Sequence, residues 1–166
     1  NYQKAEAFQK ILSDGQQNNS GQLAPGSYTV EELAKLGWDL TNIQIVSGDT
    51  DNGSTIGNDA DFDAGDTTAT IDRDAGEVIT VRFTNTRRGR NIVEKQTNPD
   101  GSVEAFEFDP SYDANFSLSD NGQNNSGLLT PGSYTVEELA KLGWDLTNIQ
   151  IVSGDTDNGS TIGGDA

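Results

Sequence analysis

The chain has 166 residues, of which 32% are hydrophobic, and its formal net charge at pH 7 is −17. This length fits one to two small domains, and without a run of about 20 apolar residues we expect no insertion into a membrane. The acidic balance argues against nucleic acid and anionic membranes as partners, because both are bound through basic patches.

Strand signals are short and regularly spaced, and turn sequences such as Pro131-Gly132 separate them. The predicted strands are, in chain order, 68–71, 77–85, 91–97, 103–108, 115–118, 133–138 and 144–152. Stretch 31–36 has helical composition, for which we expect a single turn at most. Such a pattern predicts an all-β fold, a β-sandwich of about seven short antiparallel strands. We expect four aromatic residues in equivalent cores: Tyr28, Trp38, Tyr134 and Trp144.

A long internal repeat organises the chain. Residues 18–60 recur at 124–166, a period of 106 residues, and only three of these 43 positions differ. This near-identity identifies a tandem array. The second copy is not followed by a counterpart of 61–90, and the first is not preceded by one of 91–110. We therefore expect a fragment of a longer array, or neighbouring chains that complete one another's domains by donor-strand exchange.

The basic stretch TRRGR at 86–90 has no apolar side chain and marks the boundary between units. The sequence thus predicts a first repeat unit at 1–86 that lacks its first strand. A linker at 87–90 follows. The second unit, 91–166, lacks its last strands.

Three stretches of the repeat carry a family resemblance. They are IVEKQT at 92–97 followed by PDG, LTPGSYTVEE at 129–138 followed by Gly143-Trp144, and AGE at 75–77 leading to VRFTN at 81–85. Together they resemble the prealbumin-like repeats of secreted prokaryotic surface proteins, relatives of the collagen-adhesin B-type and pilin SpaA-type domains. The resemblance implies tandem prealbumin-like, Ig-like β-sandwiches at the cell surface or in the extracellular space. The Asp-rich stretch 49–66 departs from it.

The resemblance also implies a spontaneous isopeptide bond. Many such domains join a Lys on the first strand to an Asn or Asp on the last, with a Glu between them. The chemistry needs a neutral amine that attacks a side-chain carbonyl while a carboxylic acid moves the proton, and burial favours both neutral forms. The matching residues here are Lys95, Asn85, Glu32 and its copy Glu138.

Side-chain phase gives an independent argument for this polar cluster. Asn85, Glu32 and Lys95 each alternate in phase with apolar neighbours on their strands, so all three fall on faces predicted to be buried. A buried unpaired Lys or Glu is costly. A covalent bond, a non-covalent Lys–Glu pair, and side chains that merely reach the rim remain as interpretations. Because Lys95 and Asn85 belong to successive units, any bond would join each to a neighbouring repeat or chain.

Six Asp residues lie among glycines in the acidic loop: Asp49, Asp51, Asp59, Asp61, Asp63 and Asp66. Carboxylates at alternate positions of a Gly-rich loop are the hard oxygen ligands that Ca²⁺ prefers. The spacing is not that of an EF-hand, because Ala64 stands where that loop needs Gly. The loop predicts a stabilising Ca²⁺ ion or, alternatively, a solvated acidic face.

Five sequons permit N-glycosylation: Asn18, Asn52, Asn115, Asn124 and Asn158. A chain rich in Asn, Ser and Thr also forms sequons by chance, so they do not argue for glycans.

The leading functional hypothesis is a structural protein. Its partner is then itself, in a head-to-tail homopolymer or in tandem repeats that form a filament, stalk or adhesin shaft. The alternative is an adhesin-type module that binds a glycan or a protein through aromatic loops, for which Phe62 and Tyr112 are candidates. We expect no enzyme, because the chain has no His or Cys and its carboxylates run along one loop instead of facing each other in a cleft.

Overall fold

The computed structural model describes residues 9–157 and 159–163, and these ranges contain ten β-strands and no helix. The predicted all-β fold is therefore confirmed. The chain divides into two compact units, Asn1–Thr86 and Arg87–Ala166. No helix long and apolar enough to cross a membrane occurs within the described ranges.

The first unit contains a three-stranded antiparallel sheet and a pair of strands. Its strands are β1 (Gly26–Glu31), β2 (Trp38–Ser47), β3 (Thr55–Ile56), β4 (Thr68–Arg73) and β5 (Thr80–Arg87). The sheet has the order β1-β4-β3, with Val30 opposite Ala69, and β2 pairs with β5.

Most strands of the second unit come from parts of the repeat that form no strand in the first, and residues 136–138 are the exception, because they copy the end of β1. Its strands are β6 (Ile92–Glu94), β7 (Phe106–Pro110), β8 (Phe116–Leu118), β9 (Gln123–Asn125) and β10 (Val136–Glu138). They form an antiparallel sheet of order β10-β7-β8 and an antiparallel pair, β6 with β9. Of the predicted linker, Arg87 ends β5, and Gly89 forms a β-bridge with Leu129.

Each unit has a small core of its own. In the first, Ile43, Ile56 and Ala69 are buried, and Val81 and Phe83 of β5 pack against them. The predicted alternation is observed around these two residues, because Thr80, Arg82 and Thr84 are exposed. Full burial of one such apolar side chain contributes about 1.5–3 kcal/mol, and the half-buried Val81 and Phe83 each contribute part of that.

The core of the second unit is aromatic. Phe106, Phe108 and Leu118 are buried. Trp144 meets Phe106 edge to face with ring centroids 5.1 Å apart, and Phe108 stacks on Phe116 at 5.2 Å. The predicted strand at 103–108 lies two to three residues later, because Phe106 and Phe108 supply the buried face while Val103 is exposed.

The predicted strand at 144–152 is wrong: none of these residues is in a strand. The same ten-residue sequence, WDLTNIQIVS, forms β2 in the first unit. The difference lies in the partner, because β2 pairs with β5 and the chain has no second copy of β5. Ile43 on β2 is consequently 1% exposed, whereas its copy Ile149 is 52% exposed.

Trp38 shows the opposite asymmetry and corrects a second expectation. It is 39% exposed, with Lys35 Nζ 5.6 Å from its ring centroid, whereas its copy Trp144 packs on Phe106. Among the described residues of the first unit, no aromatic ring contacts Trp38 as Phe106 contacts Trp144. The tyrosines do behave alike: Tyr28 and Tyr134 are half-buried and donate their hydroxyls to the equivalent carbonyls of Ala24 and Thr130.

Candidate functional site

A buried ion pair occupies the second unit where the sequence predicted a polar cluster. Lys95 Nζ lies 3.0 Å from both carboxylate oxygens of Glu138, and these side chains are only 11% and 13% exposed. The backbone of Lys95 is held by Gly122 and Asn121, through N–H···O distances of 3.0 and 2.8 Å. The Phe106 ring centroid is 4.3 Å from Nζ. The ammonium is thus fixed between a carboxylate and an aromatic face.

The surroundings of this pair distinguish it from an ordinary surface contact. The pair between Lys141 and Glu104 has the same 3.0 Å separation, but its side chains are 29% and 55% exposed, and exposed pairs contribute at most about 1 kcal/mol. In a buried pair, loss of one partner leaves the other charge without compensation, which costs several kcal/mol. Lys95 and Glu138 therefore depend on each other for their burial.

The first unit holds the complementary contact around the equivalent Glu. Asn85 Nδ2 donates a hydrogen bond to Oε1 of Glu32. Glu32 is half-buried as expected, but Asn85 is exposed, which corrects its predicted inward orientation. The physical reason is that the alternation of β5 shifts after Phe83, because Thr84 and Asn85 are both exposed and Thr86 is half-buried.

The two contacts share one position of the repeat, because Glu32 and Glu138 are copies of each other. In the second unit this Glu position contacts a Lys, and in the first unit it contacts an Asn. Among the described residues, this Glu position contacts either the Lys or the Asn, and in neither unit does it contact both.

The acidic loop forms a smaller cluster than the sequence suggested. Carboxylate oxygens of Asp49, Asp51 and Glu77 lie within 4.8 Å of one another. Glu77 was missed by the sequence analysis, because its position at the start of a predicted strand concealed a contact with residue 50. It is 8% exposed, and hydrogen bonds from Thr50, then from the N–H of Asp74, lower its pKa.

One oxygen of this cluster has no partner. Asp49 Oδ1 is buried without a hydrogen bond, while Oδ2 accepts one from the Ser54 N–H at 3.2 Å. An orphaned carboxylate oxygen beside two further carboxylates suits a hard cation such as Ca²⁺.

The other four Asp residues of the predicted site do not join this cluster in the described structure. Asp66 accepts a hydrogen bond from the Asp63 N–H at 2.7 Å, and Asp59 accepts one from the Asp61 N–H at 3.1 Å. Both hydrogen bonds join residues of the same loop, so the four Asp residues belong to turns of that loop.

The sequons are placed as follows. Asn18, Asn52 and Asn115 are exposed, and Asn124 is half-buried on β9 opposite Val93. Asn158 lies outside the described residues.

The two aromatic candidates for ligand binding pack onto the protein. Phe62 lies against the Ile43 cluster. Tyr112 meets Tyr134 edge to face with centroids 6.0 Å apart, and burial raises the pKa of its hydroxyl. Neither ring forms an open platform for a ligand.

Comparison of the chain with protein-family models, with curated proteins and with solved structures gave no match.

Proposed function

We propose that the protein is a structural component of the cell surface or extracellular space, a repeated prealbumin-like β-sandwich of a filament, stalk or adhesin shaft. The observation that carries the proposal is that one sequence, at 38–47 and at 144–153, forms a strand only where β5 is present. A complete sandwich of this repeat therefore needs a copy of β5 for each copy of WDLTNIQIVS, one period of 106 residues after the previous β5. Successive repeats or chains then complete one another.

The chemistry of the surface supports a structural role over a binding or catalytic one. The net charge of −17 keeps a repetitive β-protein soluble and disfavours pairing between sheet edges. The aromatic residues proposed for a glycan- or protein-binding module, Phe62 and Tyr112, are packed against neighbours. A head-to-tail contact between identical units propagates into an open filament or a linear stalk.

Electron microscopy of the native material tests the proposal. We expect thin filaments or linear stalks with a regular axial repeat that corresponds to one sandwich. Isolated particles with no linear order, in material whose chain carries several repeats, would contradict it.

Within such an array, we propose an isopeptide bond that joins Lys95, or its copy in another repeat, to a copy of Asn85. Nζ would attack the Asn side-chain carbonyl carbon, the new C–N bond would form, and ammonia would leave. Glu138 would carry the proton from the amine to the leaving nitrogen. The support is that Lys95 and Asn85 each contact this same Glu position. The mass of the denatured native chain should therefore be lower than the mass of its sequence by one ammonia per complete repeat. A mass equal to that of the unmodified sequence would refute the bond.

We also propose Ca²⁺ as a stabilising ion of the first unit, held by Asp49, Asp51 and Glu77. Its support is the orphaned Asp49 oxygen beside two carboxylates. Bound there, the ion would tie the loop after β2 to the residue that precedes β5.

A further inference from the structure

We infer that the second unit accepts a segment with the sequence of residues 61–90, which a further repeat supplies. The copy of β4 in that segment pairs in a defined register with the strand that ends at Glu138. The inference rests on the proposed tandem array, and it names the segment, the strand edge and the residue pairs.

The backbone hydrogen bonds show that this strand has two usable edges. In the first unit the N–H of Glu32 donates to the carbonyl of Thr67, next to β4. In the second, the N–H of Leu139, the copy of Leu33, donates to the carbonyl of Glu107, next to β7. Successive residues of a strand direct their N–H groups to opposite edges. The β4 and β7 pairings therefore use opposite edges of one repeat strand, and both fit at once.

The register follows from the first unit. There Glu31 lies opposite Thr68 and Val30 opposite Ala69. Glu137 and Val136 are the copies of Glu31 and Val30, so they would face the copies of Thr68 and Ala69. The resulting sheet has the order β8-β7-β10-β4-β3, in which every neighbouring pair is already observed in one unit or the other.

The remainder of the segment would cover the surface around 144–152. Ile149, Leu146 and Ile162 are each about half exposed, whereas their copies Ile43 and Ile56 are buried and the copy Leu40 packs on the same core. The first unit thus identifies the occupant, because its identical surface is covered by Val81 and Phe83 of β5 and by Phe62 before β4. Occupation would also bring the copy of Asn85 to Glu138, whose other side holds Lys95.

Engineered disulfides test the register, since residues 1–166 contain no Cys. The full chain is extended after Ala166 by a second copy of residues 61–90. Cys then replaces Glu137 and the added copy of Thr68, a directly opposed pair within disulfide reach. E31C with T68C in the first unit is the matched positive control. The register control pairs E137C with Cys at the added copy of Ala69 and leaves the added copy of Thr68 unchanged. The side chain at the Ala69 position points to the other face of the sheet.

We expect the E137C pair to oxidise as completely as the E31C pair, and the register control to stay reduced. Amide exchange over 144–152 should slow about 100-fold on extension. Failure of the E137C cross-link while the E31C control forms would overturn the inference. So would an unextended chain that self-associates and protects 144–152, because a second copy would then be the occupant. Electron microscopy of the native material decides the proposed function separately.

Discussion

Lys95 and Glu138 form a buried ion pair between the end of β6 and the end of β10, with Nζ 3.0 Å from each carboxylate oxygen. The substitution E138Q removes the negative charge and leaves the ammonium buried against Phe106. We expect it to destabilise the second unit by about 3 kcal/mol, because the remaining charge is uncompensated. In a W38F background, Trp144 is the only tryptophan, so its fluorescence during denaturation reports on this unit alone.

The repeat supplies a matched control for this prediction. E32Q makes the same change at the equivalent position of the first unit, where Glu32 contacts Asn85 and forms no ion pair with a Lys among the described residues. It should change stability by no more than about 0.5 kcal/mol, measured from Trp38 in a W144F background. Equal effects of the two substitutions would contradict the role assigned to Lys95.

Gly48 and its copy Gly154 differ in what surrounds them. Both have positive φ, at 91° and 86°. A Cβ on Gly48 would lie 2.0 Å from the carbonyl oxygen of Val78, whereas one on Gly154 would meet nothing within 4 Å. G154A should cost about 1–2 kcal/mol from backbone strain alone. G48A should cost clearly more, because Val78 leads into β5 and cannot move without disturbing it. Denaturation of each unit, followed through its own tryptophan, measures both, and a similar loss at the two sites would disprove the close approach.

Local pattern predicted those parts of the fold that depend on neighbouring residues in the chain. The alternation around Phe83 predicted β5, and the phase of Lys95 and Glu138 predicted two side chains that do meet. Local pattern failed to predict burial where a segment distant in the chain determines it. Trp38 and Ile149 have the same local sequence as Trp144 and Ile43, yet different burial. No local rule could separate these copies, because the difference lies in the presence of β5 or Phe106.

The acid stability of the second unit should depend on Asp120. The backbone N–H groups of Gly101, then Thr97, donate to its carboxylate and lower its pKa from 3.8 to about 2. A lowered folded-state pKa means that the stabilisation is fully present above about pH 4 and is lost as the pH falls towards 2. In D120N, unfolding of this unit should therefore become less sensitive to pH across that window.

The control for Asp120 is D14N, the same change at the exposed copy Asp14. Melting curves from pH 6 to pH 2, read from Trp144 for D120N and from Trp38 for D14N, should show the wild-type and D120N midpoints converging at low pH. A constant difference across the range would contradict the assignment.

Removal of Ca²⁺ should lower the melting temperature of the first unit only. An ion bound to the folded state stabilises by mass action, by about 2.7 kcal/mol at 100 times the dissociation constant. The second unit has the Asp copies Asp155 and Asp157 but no copy of Glu77, so it serves as the internal control. E77Q should abolish the response to chelator at constant ionic strength. No response of the wild-type Trp38 signal would leave the cluster as a solvated acidic surface.

The central claim is that β5 decides whether the sequence WDLTNIQIVS forms a strand, and amide hydrogen exchange tests it most directly. The substitution V152I, at an exposed residue, gives the peptides from the two copies different masses while their intrinsic exchange rates stay nearly equal. In the full chain we predict slow exchange over 38–47 and fast exchange over 144–153. Equal protection of the two copies in a monomeric chain would contradict the account.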